Sequence, residues 1–216
     1  LWEALAGVRR EGSARAVVVR GAAGVGKTRL ARWLGARAAE VGGATVLSAS
    51  HSEEGSSRDG LARMAERHLR CSRLRGEKLT LRVRELLRAL GGAEPWEYTE
   101  LSAWLDQRTT PSAAAMSRWQ RPAERYGPLA NLVERTARER PVVLVVDDAH
   151  FAWDALAFCL FLLDRQALRP SMLLLVINID PDRLIEHPEV RHRLDSLTAR
   201  ADVDTIELAP LSSAQT

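Results

Sequence analysis

Short runs of consecutive apolar residues alternate along this chain with longer stretches in which apolar positions recur every three or four residues. The runs at 16–19, 44–48, 142–146 and 172–177 are rich in Val, Leu and Ile. Lacking helical spacing, they read as strands, and the uninterrupted 142–146 and 172–177 suit central parallel strands covered on both faces. The run 203–208 mixes charged and apolar residues and reads as a last, more polar strand. Between the runs the period changes. Leu1, Leu5 and Val8 mark a short amphipathic helix within 1–15, closed by the polar turn Glu11-Gly12-Ser13. A second helix runs from Lys27 to about residue 40, where Gly42-Gly43 ends it. A third begins near Pro122, with Tyr126, Leu129, Ala130, Val133 and Ala137 on one face; others are expected over 154–168 and 188–199. Strands alternating with helices predict an α/β fold, a doubly wound parallel sheet of about five strands.

The stretch 59–108 breaks the alternation. Leu61, Met64, Ala65, His68 and Leu69 keep helical spacing, as do Leu79, Val83, Leu86, Leu87 and Leu90, and then Tyr98, Leu101 and Leu105. Two or three helices are therefore inserted between the second and third strands, after a polar loop at 49–59. Residues 109–121 read as an irregular, mobile connection. The whole of 1–216 is expected to be one domain, with 59–121 as its helical insertion and connecting loop.

Chemistry enters between the first strand and its helix, at Gly21-Ala22-Ala23-Gly24-Val25-Gly26-Lys27-Thr28. Every fixed position of the phosphate-binding pattern G-x-x-x-x-G-K-[ST] is met, and a strand precedes and a helix follows as the pattern requires. Glycines 21, 24 and 26 allow a tight turn whose N–H groups point into one concavity, and the helix adds its positive end to the same place. Lys27 is expected to reach the β- and γ-phosphates, and Thr28 to offer its hydroxyl to Mg²⁺. The nucleotide-binding set is thus 21–28 with Arg29 after it. A plain Gly/Ala-rich turn is the alternative, but it would need four constrained positions and both flanking elements to coincide.

The strand at 142–146 ends in Asp147-Asp148, where open α/β sheets bind ligands. Asp147 is expected to hold Mg²⁺ with Thr28, and Asp148 to polarise the attacking water or act as a second metal-shell carboxylate. Capping of the next helix is the structural alternative. His150 could sense the γ-phosphate, cap or simply pack. Asn178, at the end of the strand 172–177, reads equally as a polar contact to the γ-phosphate or the attacking water and as a turn former before Pro181. Asp180 and Arg183 flank that proline.

Composition changes this picture little. A 46% hydrophobic and 27% charged chain of 216 residues is ordinary for a globular α/β domain. No apolar run is long enough to span a bilayer, so a cytoplasmic location is expected, and the opening Leu suggests a piece of a longer chain. Cys71 and Cys159 lack C-x-x-C partners and read as reduced, buried thiols. Lysine occurs only at 27 and 78, and the net charge is +3. The arginines are spread along many helices, so nucleic acid is not an expected partner.

Together, Gly21 to Thr28, the acidic pair 147–148 with His150 just after it, and 173–178 resemble a STAND-type P-loop ATPase of the AAA+-related superfamily. More narrowly they are similar to the ATPase module of bacterial multidomain signalling proteins, where it lies between a Ser/Thr kinase or helix-turn-helix effector and helical repeats. Tyr126-Gly127-Pro128-Leu129 and Asp154-Ala155-Leu156-Ala157-Phe158 are similar to the kinase-linked subgroup. The resemblance implies ATP/ADP and Mg²⁺ as ligands, adenine as the base, Lys27, Asp148 and Asn178 as the hydrolytic residues, and slow turnover serving a switch. Adjacent domains of the same chain would be the partners, with nucleotide-dependent self-association. Two departures fall on the hydrolytic half. Phe151-Ala152-Trp153-Asp154 shifts the aromatic and acid that relatives carry after the third strand. Asn178-Ile179-Asp180 stands where relatives tend to have Thr-x-Arg, so an anion replaces a cation, with Arg183 a candidate substitute. A non-hydrolysing nucleotide scaffold is the alternative reading. A small-molecule phosphotransferase is disfavoured because the 109–121 connection carries only Arg118 and Arg121 as basic residues.

Overall fold

Five strands make one parallel sheet in the computed structural model, which describes residues 1–55, 59–92, 94–106 and 121–210. They are β1 (Arg15–Arg20), β2 (Thr45–Ser50), β3 (Val142–Asp147), β4 (Leu173–Ile179) and β5 (Val203–Glu207), in the order β2-β3-β4-β1-β5. Position in the sheet follows composition. All six residues of β3 and all seven of β4 are buried, as expected of interior strands without polar alternation. At the edges, β2 alternates buried and exposed positions, and β5 keeps no residue fully buried. Interior leucines such as Leu144 have no exposed surface. Truncating one to Ala costs about 2–5 kcal/mol.

The helices follow from the crossovers. From β1 the chain passes through α2 (Lys27–Glu40) to β2 on one side, whereas α7 (Trp153–Arg165) and α8 (Pro188–Thr198) carry it the other way, from β3 to β4 and from β4 to β5. Right-handed crossovers in opposite directions place their helices on opposite faces, so the sheet is doubly wound, as the sequence pattern predicts. On the first face α1 (Trp2–Glu11) joins α2, and Leu5, Val8, Ala31 and Leu34 pack on Val17, Val19, Val143, Val145, Leu174 and Val176. The opposite face presents Val18, Leu144, Leu175 and Ile177, equally buried. The α7 residues Leu156, Phe158, Cys159 and Leu162 are buried as well. Burial pushes the Cys159 thiol up to about 12, so it is an inert apolar packing group. These strands and helices belong to a first compact unit, Leu1–Gly60 with Ala137–Thr216.

The second compact unit, Leu61–Thr136, is helical among its described residues. Its elements are α3 (Asp59–His68), which starts just before the unit, α4 (Gly76–Ala89), α5 (Pro95–Asp106) and α6 (Pro122–Thr136). Leu61, Met64, Leu79, Val83, Leu101, Trp104, Leu105, Leu129 and Val133 are its buried faces. The expected insertion ended at 121, but this unit takes in α6 as well. The Trp104 indole N–H donates to the Arg125 carbonyl at 2.9 Å, and Arg135 on α6 pairs with Glu97 on α5. The connection expected at 109–121 lies, as far as residue 120, outside the described residues.

One boundary differs with consequence. The apolar run suggested that the fourth strand ends before Asn178, yet β4 continues to Ile179. Asn178 pairs in register with Val19 of β1 and has no exposed surface. A polar residue that looks like a strand terminator therefore sits inside the sheet, and its turn-forming reading is excluded.

Candidate nucleotide site

The loop leaving β1 owes its shape to glycine. Gly24 and Gly26 have φ of 82° and 101°, the left-handed side that other residues adopt only with strain. Gly21 serves differently: a Cβ there would lie 2.6 Å from the Leu208 carbonyl oxygen, so backbone contact with the segment after β5 requires its bare Cα. Gly26 opens α2 without a side-chain cap, and the first intrahelical bond runs from the Leu30 N–H to the Gly26 carbonyl at 2.9 Å. The N–H groups of Lys27, Thr28 and Arg29 thus have no intrahelical acceptor and stand at the positive end of the helix dipole. That is the preferred seat of an anion.

The Lys27 ammonium is buried and donates to the Gly21 carbonyl at 2.7 Å and the Ala22 carbonyl at 2.8 Å. An ammonium has three donors, so the loop's own backbone aims it and one donor remains.

Groups from α2, β3 and β4 meet beside it. The Thr28 hydroxyl donates to Asp147 Oδ1 at 2.9 Å, and the Asn178 amide donates to the same oxygen at 2.9 Å. Strand order explains the convergence: β4 lies between β1 and β3, so a residue near its C-terminal end faces both the P-loop and the β3 acid. Among the described residues nothing donates to Asp147 Oδ2. The Asn178 Oδ1 is buried and likewise without a described partner.

Asp148 follows with φ 53° and ψ 46°, a left-handed conformation that Asp tolerates better than most residues. It precedes a 3-10 turn (Ala149–Phe151) but makes no side-chain cap bond, so the capping reading is not realised. Its carboxyl lines the cleft. Burial, then the neighbouring Asp147 carboxylate, hold its pKa above the ordinary 3.8. His150 is buried, and its Nδ1 accepts the Asp180 N–H at 3.4 Å. That bond places the ring proton on Nε2. Burial also lowers the His150 pKa below 6.5, which keeps the imidazole neutral at pH 7. Its ring packs on Phe151 at 4.2 Å.

These groups border a cleft of about 680 Å³ whose walls include Gly24, Lys27, Thr28, Asp148, His150 and Asp180. Ala23, Gly26 and Arg29 line the cleft, whereas Gly21, Ala22 and Val25 do not. Arg183 lines it too. Arg32 was not singled out in the sequence, although its place one helical turn after Thr28 puts it on the same face of α2.

Comparison with known proteins identifies the family. The family model described as "AAA ATPase domain" matches residues 1–177, a span that holds the P-loop and the acidic pair and stops just before Asn178. No curated protein matches the chain. Among solved structures, one described as "Structure of Drosophila ORC bound to DNA" is similar, with 18% identity, a TM-score of 0.43, and coverage of 97% of this chain and 40% of that one. This chain thus spans less than half of that neighbour's length. With a P-loop, a strand-end acid and a strand between them all in place, the chain belongs to the AAA ATPase domain family and is a nucleotide-binding P-loop ATPase domain.

Proposed function

We propose that this chain binds ATP with Mg²⁺, hydrolyses it slowly, and uses the difference between the ATP and ADP states to set the arrangement of neighbouring domains of a longer signalling protein. The observation that carries this reading is the meeting of the Thr28 hydroxyl and the Asn178 amide on one oxygen of Asp147, at the edge of the P-loop cleft. Two independent donors fix that carboxylate, so its other oxygen is aimed without the chain having to reorganise.

The donor set is hard oxygen, a hydroxyl and a carboxylate, which suits Mg²⁺. Among the described residues no group of three or more His, Cys, Asp or Glu converges on a metal position. Thr28 and Asp147 would accordingly hold the ion together with nucleotide oxygens and water. When bound, it would neutralise charge on the β- and γ-phosphate oxygens.

The residues divide the rest of the work. Backbone N–H groups of the loop and of the first turn of α2 hold the phosphates, and Lys27 adds a charge whose position its two carbonyl contacts define. Asp148 accepts a proton from the water whose oxygen attacks the γ-phosphorus, as the bond to the β–γ bridging oxygen breaks and ADP leaves. A carboxyl with a raised pKa is the stronger base for that step. Asp180 supports a second reading, a non-hydrolysing nucleotide scaffold within a Ser/Thr kinase or transcriptional regulator. It brings another carboxylate to the cleft wall, of the same sign as the phosphates.

Titration of a fluorescent ATP analogue with Mg²⁺ against the wild type and Lys27→Ala, followed by phosphate release from the same samples, tests both. Binding that is lost in Lys27→Ala, with slow release in the wild type, is the expected result. Binding without release establishes the scaffold, and no binding by the wild type overturns the proposal.

A further inference from the structure

Helix α2 is seated firmly on the sheet by one side. Ala31, Leu34, Gly35 and Ala38 are buried there, and a Cβ on Gly35 would lie 3.0 Å from the Val46 side chain of β2. The solvent side carries a second pattern. Arg29, Trp33, Ala36 and Glu40 are all exposed, and they follow one another at steps of four, three and four residues. That is the spacing by which one helix meets another along a seam. The solvent face of a helix is ordinarily polar, yet a tryptophan stands near the centre of this one, 57% exposed. Tryptophan beside arginine is the composition of binding hot spots.

The order of the four residues is self-complementary. Arg29 and Glu40 lie equally far from the midpoint of the seam, and so do Trp33 and Ala36. When two copies of α2 pack antiparallel about that midpoint, Arg29 of each faces Glu40 of the other, and each large Trp33 ring faces the small Ala36. Both contacts then occur twice, as a two-fold axis requires. A parallel pair would set Arg29 on Arg29 and Glu40 on Glu40. Arg32 and Arg37 lie to either side of the seam, where they keep their water. In its own chain Glu40 meets Arg37 at 3.0 Å, with both side chains more than half exposed, so that contact is weak and open to sharing. Helix α1 covers the same face of the sheet and exposes Trp2, which brings a second aromatic ring to that layer.

We propose that the solvent side of α2 is a self-association surface, through which two copies of this chain dimerise by antiparallel pairing of α2. Trp33 packs against Ala36, and Arg29 pairs with Glu40, across the two-fold axis. The reversal of sign along the seam favours a second copy over a partner of uniform charge. The pairing needs no bound nucleotide and stands apart from the ATP reading above.

Sedimentation velocity without nucleotide, over a wide range of protein concentration, tests this. The samples are wild type, Trp33→Ala, Glu40→Arg, and the double variant Arg29→Glu with Glu40→Arg. Wild type is expected to pass from monomer to dimer as the concentration rises. Trp33→Ala should weaken the dimer about tenfold, as loss of a central aromatic anchor does. Glu40→Arg opposes arginine to arginine twice and should also weaken it about tenfold. The double variant reverses both signs and should restore wild-type association, which a mere change in helix stability would not do. An acid in the first turn of α2 and a base in its last both suit the helix dipole, so folding is not endangered, and a circular dichroism melt verifies that. A wild type that stays monomeric throughout, a dimer indifferent to Trp33→Ala, or a double variant no better than Glu40→Arg would each overturn the proposal.

Discussion

Both compact units bury polar side chains, but they do so in opposite ways. In the sheet unit Ser171 precedes β4 and is bonded to Gln166, whereas the buried polar residues Lys27, Asp147, His150, Asn178 and Asp180 stand at the carboxyl ends of strands or beyond them. Their hydrogen bonds run between different elements and leave capacity over: Asp147 Oδ2, one donor of Lys27 and the Asn178 carbonyl. In the helical unit two buried hydroxyls spend their protons within their own helices. Ser102 donates to the Tyr98 carbonyl at 2.6 Å and Thr136 to the Leu132 carbonyl at 2.8 Å, each one turn back along its own helix. Glu97 is closed by Arg135. Burial of polarity alone therefore does not mark a site. Convergence with unspent bonding capacity does, because keeping such groups unsatisfied in a folded protein costs stability unless a ligand completes them.

This contrast yields opposite expectations for substitution. The largest effect is expected at Asp148. Asp148→Asn should slow single-turnover phosphate release by about 10²–10⁴-fold, the usual worth of a positioned base, with nucleotide binding retained. Asn tolerates the left-handed backbone of this position as Asp does, so the melting temperature should stay where it is. Unchanged release would show that Asp148 is not the base and would favour the scaffold. The helical unit should behave in reverse. The Arg135 and Glu97 side chains are 13% and 11% exposed. Arg135→Ala leaves a nearly buried carboxylate without its cation, at about 3–5 kcal/mol in urea unfolding. Replacing both partners by Met should recover most of that loss, and neither variant should alter nucleotide affinity when folded. A double variant as unstable as the single one would contradict this account of the pair.

The sequence showed the backbone wall of the cleft more clearly than the side-chain wall. The glycines of the P-loop are required by conformation, and conformation is local, so four fixed positions between a strand and a helix sufficed to place it. The interior strands were legible for a related reason: a residue covered on both faces must be apolar, whatever its neighbours. Asn178 was not decidable in this way. Whether it is a turn or a ligand-facing group depends on β4 lying between β1 and β3, a long-range pairing with no local signature. The same holds for His150, whose tautomer is set by an N–H thirty residues away. Capping by Asp148 was a sound expectation for an acid before a helix, yet its side chain makes no cap bond and the residue lines the cleft instead. The reach of the helical unit to Thr136 was hidden because an amphipathic helix states that it has a partner, not which one.

The smallest effect expected is the one that separates two histidines. His68 on α3 and His150 are both held below the ordinary 6.5, in each case chiefly by burial. The Thr136 hydroxyl spends its proton on the Leu132 carbonyl, so its oxygen accepts from His68 Nε2 at 3.1 Å, which requires a proton on Nε2, while burial disfavours a second proton on the ring. Since the folded-state value lies below the unfolded one, the unfolded chain binds the proton more readily as the solution becomes acidic. The stability that His68 contributes is therefore fully present above pH 6.5 and declines as the pH falls below it toward the folded value. His68→Gln keeps an N–H for Thr136 and does not titrate in this range. Its unfolding free energy in urea should lose less than that of the wild type between pH 8 and pH 5. Saturating nucleotide should leave this difference untouched, since His68 faces a closed local contact. The share belonging to His150 should change, because its ring borders the cleft where phosphate would sit. Equal pH dependence in wild type and His68→Gln would mean that burial does not hold the His68 ring neutral. A nucleotide-sensitive His68 share would mean that the helical unit also responds to the bound ligand.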